Sequence, residues 1–319
     1  MRAAIYERYG APDVVHLAGR AKPTPAAGEV LVRVDAASVG ASDNAARSGE
    51  PGLVRLFSGI RSPRLPVLGS EYAGEIVAVG SGVTGLEVGD RVYGATGAAL
   101  GCHAEHITVR ADSALASLPP EVTPSQAVAL ADGAMTALPF LRDHGRVRPG
   151  MRVLVNGASG SVGAAGVQLA HLGGAHVTAV TSTPNLDLVR GLGADEAIDY
   201  TAVDFTTSAE QWDIIFDAVG IVGFARARHV LTPHGRYLST VPGSTLFHTL
   251  VSRRAKIAFT GLRKDAAKRP DLAELAGLAV AGDLVPLIDS EYSLADAAAA
   301  HARVATGRKR GTVVLRPQE

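Results

Sequence analysis

Gly157, Gly160 and Gly163 recur at every third position in Val153-Leu-Val-Asn-Gly-Ala-Ser-Gly-Ser-Val-Gly163. A short apolar run precedes them, and a helical pattern through Gln168 and His171 follows. That order reads as a buried strand, a tight turn and a helix start. The turn's backbone N–H groups and the positive end of the helix can hold a pyrophosphate. Gly160 keeps such a turn open to a close ligand, and Gly163 lets the helix pack near the strand. Glycine is abundant here, with 36 residues, so the spacing alone also fits a plain strand-to-helix turn. The strand before it and the helix after it favour the nucleotide.

A dinucleotide site that takes NAD usually has an acid near the end of the next strand, about 20 residues on. Here the strand His176-Val-Thr-Ala-Val180 ends in Thr181-Ser-Thr-Pro-Asn185, and no acid appears until Asp187. Ser182, Thr183 and Asn185 are neutral donors that tolerate a 2′-phosphate, which favours NADP(H) over NAD(H). Thr183 as a helix N-cap with Pro184 at the first helical position explains the same residues without a ligand. Both readings can hold together.

Other chemistries find less support. His103 and His106 flank Ala104-Glu105 beside Cys102, but residues three apart on a strand face opposite ways, so a shared metal is not expected. The remaining histidines are scattered without ligand spacing. Gly157-Ala-Ser159-Gly lacks the spacing of a nucleophile elbow. Asp213 and Asp217 read as the ends of a strand. Asp43 and Glu71 are candidate polar residues near an active site, although a lone loop carboxylate is more often a turn or cap.

These residues need a scaffold. The 319 residues suggest about two domains, and a hydrophobic share of 47% supports sizeable cores. Residues 1–120 read as short strands, among them Val30–Asp35, Tyr72–Gly80, Gly89–Tyr93 and His106–Arg110, with Pro and Gly between them. That texture predicts a β-barrel-like domain. The stretch from Arg47 to Pro66 is the exception, a long irregular connection. From about residue 121 helices and strands alternate. Thr123 caps a helix with Pro124 and Gln126, and strands at 152–156, 176–180, 214–217, 235–239 and 256–260 follow, with a short one at 197–199. This predicts a doubly wound parallel α/β sheet over 121–261. Residues 262–319, with helices at 270–281 and 293–305 and a strand at 311–315, cannot form a core alone and are expected to return to one of the two domains.

Formal net charge is +0, with no long charge run, which argues against nucleic acid and membrane surfaces as partners. No apolar run is long enough to span a bilayer, and the N-terminus lacks a signal peptide's apolar core. One cysteine, Cys102, excludes an internal disulfide and points to the cytoplasm.

Further stretches carry a resemblance. Gly28-Glu-Val-Leu-Val-Arg-Val, Leu68-Gly-Ser-Glu-Tyr-Ala-Gly74, Val88-Gly-Asp-Arg-Val-Tyr93, Pro149–Gly163, Leu192-Gly-Ala-Asp-Glu-Ala-Ile-Asp-Tyr200, Phe216-Asp-Ala-Val-Gly220 and Gly311–Pro317 span nearly the whole chain. Together they resemble the medium-chain dehydrogenase/reductase superfamily, in its zinc-free, zeta-crystallin-like quinone oxidoreductase branch. The resemblance implies a GroES-like β-barrel domain plus a Rossmann domain. It places Thr136, Gly157, Ser159, Gly160, Ser161, Val162, Gly163, Ser182, Asn185, Tyr200, Val219, Gly220, Thr240 and Val241 around the cofactor. Gly40, Asp43 and Tyr72 become candidates to line a substrate cleft, with no catalytic residue assigned. Zinc-dependent relatives carry a Cys in the loop that reads Gly40-Ala-Ser-Asp43 and a His where this chain has Ser70, so no zinc is expected. The family often has Asn at the position of Gly40, and Lys or Arg at those of Pro184 and Thr312.

The expectation is a zinc-independent, NADPH-dependent reductase of quinones or α,β-unsaturated carbonyls, NADH being the lesser donor. An enoyl reductase tailoring a secondary metabolite is a second reading, and an NADPH-sensing binding protein a third. Arg55, Arg61 and Arg64 could suit an anionic or bulky substrate. The family implies a homodimer, with Lys256–Thr260 as the edge strand.

Overall fold

The computed structural model describes residues 1–241, 245–258 and 263–319. The chain forms two compact units: Met1–Asp132, Gly261–Val280 and Pro286–Glu319 make the first, and Gly133–Thr260 with Ala281–Val285 the second.

The first unit holds β1 (Arg2–Ile5), β2 (His16–Gly19), β3 (Glu29–Val39), β4 (Glu71–Val79), β5 (Arg91–Ala95), β6 (His106–Arg110) and β7 (Ala114–Ser117). The second holds β8 (Arg152–Asn156), β9 (His176–Thr181), β10 (Glu196–Asp199), β11 (Trp212–Asp217), β12 (Leu231–Ser239) and β13 (Ala255–Ile257). The chain then returns to the first unit with β14 (Ile288–Ser293) and β15 (Thr312–Arg316).

In the first unit β3 is the organising strand. Its eleven residues pair antiparallel with β4 along their length, with β6 at one end and with β15 at the other. The sheet runs β14-β15-β3-β4-β5-β7, with β6 beside β3. Val30, Val32 and Val34 alternate inward onto Tyr72, Ile76 and Val92, the period of two expected of a strand with one buried face. This is the barrel-like texture that the short strands predict.

The second unit is an all-parallel sheet in the order β10-β9-β8-β11-β12-β13. With the strands numbered along this unit the order is 3-2-1-4-5-6, the doubly wound arrangement. Helices cover such a sheet on both faces, so its central strands bury residues of both parities. In β8 Val153, Leu154 and Val155 are all fully buried. The order reverses between β8 and β11, and ligands bind such sheets outside the carboxyl ends of the strands at that point.

Two boundaries differ from the sequence reading. The helix Pro124–Ala129 packs on β3 and β4 with Ala127 and Val128 buried, so the first unit runs on to Asp132 rather than ending near residue 120. Residues 281–285 join the second unit instead of returning with the tail. The Gln168 amide donates to the Val285 carbonyl at 3.1 Å and accepts from the Val285 N–H at 2.7 Å. The Arg47–Pro66 connection is not wholly irregular: Arg47 is buried in the helix Ala41–Ser48, and Gly52–Val54 and Arg55–Ser58 form short helical turns. Of the expected edge strand, Ala255–Ile257 forms β13 at one sheet edge, while Phe259 and Thr260 lie outside the described residues.

Candidate functional site

The glycine turn joins β8 to the helix Ser161–Leu172. Gly157 has φ of +78°, a conformation that disfavours side chains. At Gly163 a Cβ would stand 2.1 Å from the Gly157 carbonyl oxygen, so only glycine lets the helix start this close to the strand. Gly160 differs: its added Cβ would meet only the Gly157 oxygen, at 3.5 Å, so the space on that side is empty of protein. Gly160 is also the helix N-cap and offers no side-chain cap. The first N–H groups of a helix have no partner within it. With Ser161, Val162 and Gly163 in that first turn, the segment is a cradle for an anion, and the residues present fit a dinucleotide's pyrophosphate.

Two further loops gather beside the turn at the carboxyl ends of the strands. A Cβ on Gly157 would strike Val219 Cγ2 at 2.3 Å, and one on Gly220 would strike Val241 Cβ at 2.3 Å, so the segments after β8, β11 and β12 are in contact. Thr240 Oγ1 donates to the Ala218 carbonyl at 3.1 Å. Val219 and Val241 remain exposed on this rim. A buried carboxylate holds the loops together. Asp217 Oδ1 accepts from Asn156 Nδ2 at 2.9 Å and from the N–H groups of Val219 and Gly220 at 3.1 and 2.8 Å. Its Oδ2 accepts from the Tyr237 hydroxyl. Asp217 therefore does more than end a strand.

On the other side of β8, Thr181 Oγ1 donates to Ser159 Oγ at 3.0 Å, and Asn185 Nδ2 donates to Ser159 Oγ and Ser182 Oγ at 3.2 and 3.1 Å. Ser182, not Thr183, is the N-cap of the short turn Thr183–Asn185. Thr183 is not a spare donor either, because its hydroxyl donates to Asp199 Oδ2. Tyr200 is exposed, and its N–H donates to the Thr181 carbonyl at 3.0 Å. Thr136 is half-buried in the helix Met135–Pro139, which packs on the helix Ser161–Leu172. The cofactor residues expected from the sequence thus lie on one sheet end and its neighbouring helix.

The first unit collects polar groups around Gly40. Asp43 is fully buried and accepts from the N–H groups of Gly40 and Gly69, both at 2.8 Å. Burial pushes its carboxyl pKa up, against His103 and these two donors. Glu71 is half-buried. It accepts from Ser38 Oγ at 2.5 Å and from Ser70 Oγ at 2.7 Å. Burial, with Asp132 and Asp43 nearby, pushes its pKa up to about 8. Asp132 accepts from Thr312 Oγ1 at 3.1 Å and lies in a π-helical turn, Leu130–Ala134, a widening common at functional sites. A Cβ on Gly40 would face Asp132 Oδ1 and Asp43 Oδ2, each at 3.6 Å.

Tyr72 departs from its expected place. Successive residues of β4 face opposite ways, and the ring opposite Glu71 is fully buried among Val30, Val32 and Val92. It is a core residue, not a cleft-lining one. His103 is likewise fully buried. Its Nε2 donates to the Ser38 carbonyl at 2.8 Å, and its ring meets His301 edge-on at 5.4 Å. Arg55 is held over the Tyr9 ring at 4.8 Å and donates to the Gly49 carbonyl, so it is occupied within the fold.

Sequence reasoning missed Asp199, Asp132 and the bonding of Asp217. Each acts across an element boundary that a linear pattern does not reveal. The Ile-Asp-Tyr ending of the short strand at 196–199 was the available signal for Asp199.

Among the described residues no three His, Cys, Asp or Glu side chains are grouped to hold a metal ion. Cys102 is fully buried beside Thr96, with its thiol pKa pushed up by burial, the wrong direction for a metal-binding thiolate.

A mostly antiparallel barrel-like unit and a doubly wound unit with a glycine turn suited to a pyrophosphate define a nucleotide-dependent oxidoreductase of two-domain type. The alcohol dehydrogenase GroES-like domain matches residues 26–120, and the zinc-binding dehydrogenase family matches residues 192–315. A chloroplastic quinone oxidoreductase of Triphysaria versicolor is 31% identical, over 99% of this chain and 98% of that protein. The chloroplastic NADPH-dependent alkenal/one oxidoreductase of Arabidopsis thaliana is 36% identical, over 69% of this chain and 58% of its own length. The solved quinone oxidoreductase of Coxiella burnetii superposes with a TM-score of 0.90 at 26% identity, covering 99% of both chains. The chain belongs to the quinone oxidoreductase branch of the medium-chain dehydrogenase/reductase superfamily. It is an oxidoreductase that uses a nicotinamide cofactor.

Proposed function

We propose that this protein reduces quinones or α,β-unsaturated carbonyls with NADPH and without zinc. The observation that carries the reading is the glycine turn Gly157–Gly163, whose Gly160 side is open to a pyrophosphate; the absence, among the described residues, of three His, Cys, Asp or Glu side chains grouped to hold a metal ion supports its zinc-free form. Alcohol oxidation needs the hydroxyl proton removed, which zinc assists, whereas an activated C=C or a quinone accepts hydride directly. A nicotinamide dinucleotide held at the turn by its pyrophosphate would supply that hydride. The chain's own part is to hold the dinucleotide by its backbone N–H groups and to shape the rim with Val219 and Val241. The relative named for NADPH and alkenals or alkenones supports the donor and the substrate class. The proposed residue roles are those given above for the turn and for Ser159, Ser182, Asn185, Tyr200 and Thr240, with Gly40 and Asp43 on the substrate side.

A homodimer in the cytoplasm completes the proposal. β13 is a sheet edge, and Leu246 and Phe247 stand exposed on the helix Thr245–Val251 that packs beside it, an apolar surface in need of cover. The single, buried cysteine suits a reducing compartment. Among the described residues no helix is long and apolar enough to cross a membrane. Stopped-flow oxidation of NADPH with panels of quinones and enones tests the activity. Turnover with members of either panel supports it, and no oxidation above background with any of them overturns it.

A further inference from the structure

We propose that Asp199 sets the cofactor selectivity of the glycine-turn site, placing a fixed negative charge at the ribose end so that NADH rivals NADPH as the bound donor. The proposal rests on the reading that a reduced nicotinamide dinucleotide occupies the turn. The sequence shows no acid at the end of β9, where NAD-selective sites usually carry one. The fold supplies one from the neighbouring strand. β9 and β10 are parallel, and Asp199 is the register partner of Thr181, the last residue of β9. Its carboxylate therefore emerges level with the usual position, one strand over.

The contacts lead from the turn to this carboxylate without a gap. Ser159, in the turn, accepts from Thr181 Oγ1, and Thr181 pairs with Asp199. Asp199 Oδ2 accepts from Thr183 Oγ1, and Oδ1 accepts from the N–H and the hydroxyl of Thr201 at 2.9 and 2.7 Å. These donors stabilise the ionised form and hold its pKa below the ordinary carboxylate value. They also determine what is left for a ligand. The hydroxyl hydrogens of Thr181 and Thr183 and both amide hydrogens of Asn185 are directed at protein acceptors. Ser159 and Ser182 accept from Asn185, so their own hydroxyl hydrogens are the ones aimed elsewhere.

None of the side chains in this network is cationic. Within this network a 2′-phosphate would meet the Ser159 and Ser182 hydroxyls and, close by, a carboxylate. A 2′-hydroxyl would meet an acceptor with a lone pair to spare. Between exposed groups, like-charge repulsion of this kind changes affinity by roughly fivefold at moderate salt.

The test is the dissociation constant of NADPH and of NADH, measured by titration at low and high salt, for the wild type, for Asp199→Asn and for Asp199→Ser. The serine variant keeps an acceptor for the Thr201 N–H, so a shared result does not depend on one substitution's effect on the turn. The expected result is a wild-type preference for NADPH under about tenfold, tightening of NADPH by about fivefold in both variants, an NADH constant unchanged within about twofold, and a smaller gain at high salt. Both cofactors binding with an unmoved NADPH constant would overturn the role of Asp199 alone. Failure of the wild type to bind either cofactor would overturn the turn's assignment along with it.

Discussion

Gly163 lies so close to Gly157 that a Cβ on it would stand 2.1 Å from the Gly157 carbonyl oxygen, while a Cβ on Gly160 would meet that same oxygen at 3.5 Å. The two glycines therefore do different work. Gly163→Ala forces the helix Ser161–Leu172 off the strand and should cost about 1–3 kcal/mol of stability, with cofactor binding lost as a consequence. Gly160→Ala should fold with little change in Tm, because its φ of −77° suits alanine, yet weaken the cofactor at least about tenfold by filling the pyrophosphate's side of the turn. Thermal melts beside cofactor titrations check both. Equal loss of stability in the two variants would contradict the assignment.

Asp217 holds the loop after β11 through several bonds to one carboxylate. Asp217→Asn replaces an acceptor with an NH2 group facing either the Tyr237 hydroxyl or the Val219 and Gly220 N–H groups. Leaving buried donors unmet costs about 1–3 kcal/mol. The urea midpoint should fall accordingly, and Tyr237→Phe should lower it too, because it removes the hydroxyl that accepts from the Gly223 N–H at 2.9 Å. A midpoint unmoved by Asp217→Asn would contradict this.

Glu71 makes stability depend on pH in the alkaline direction. Its pKa is raised from 4.5 in the unfolded chain to about 8 in the fold. The fold thus prefers the protonated acid. The contribution is fully present below 4.5 and is lost as pH rises toward about 8. Glu71→Gln keeps the shape and removes the ionisation. Its Tm should gain on the wild type between these limits, and parallel Tm curves across that range would count against the raised pKa.

His301 acts at the other end of the scale. It is fully buried, neither ring nitrogen has a hydrogen-bond partner among the described residues, and burial with His103 and Arg47 nearby pushes its pKa down from 6.5 to about 2. The fold therefore holds the neutral ring. Its contribution is present above 6.5 and is lost as pH falls toward about 2, because the unfolded chain takes up the proton first. His301→Leu should flatten part of the loss of Tm on acidification. An unchanged acid slope would show that other groups carry it.

Local pattern revealed the strand-turn-helix at 153–172, the parallel strands and the fold class, because strand and helix periodicity and glycine punctuation are properties of neighbouring residues. Features made by distant residues stayed hidden. Asp199 reads as the end of a weak strand until β10 pairs with β9 and brings it level with Thr181. Glu71 and Tyr72 are adjacent in sequence, yet the pleat of β4 turns one to the polar cluster and the other to the core, and composition does not say which. The Gln168–Val285 amide pairing, which draws 281–285 into the second unit, joins residues 117 apart. The neutral Thr181–Asn185 segment was legible, but the direction of its hydrogen bonds was not.

Transfer of a labelled hydride tests the central claim most directly. NADPH carrying deuterium on the reactive face of C4, incubated with the enzyme and an enone, should yield a saturated ketone with one deuterium at the β-carbon by mass spectrometry. Recovery of unlabelled enone with the cofactor intact, across both C4 epimers and the substrate panel, would contradict the account.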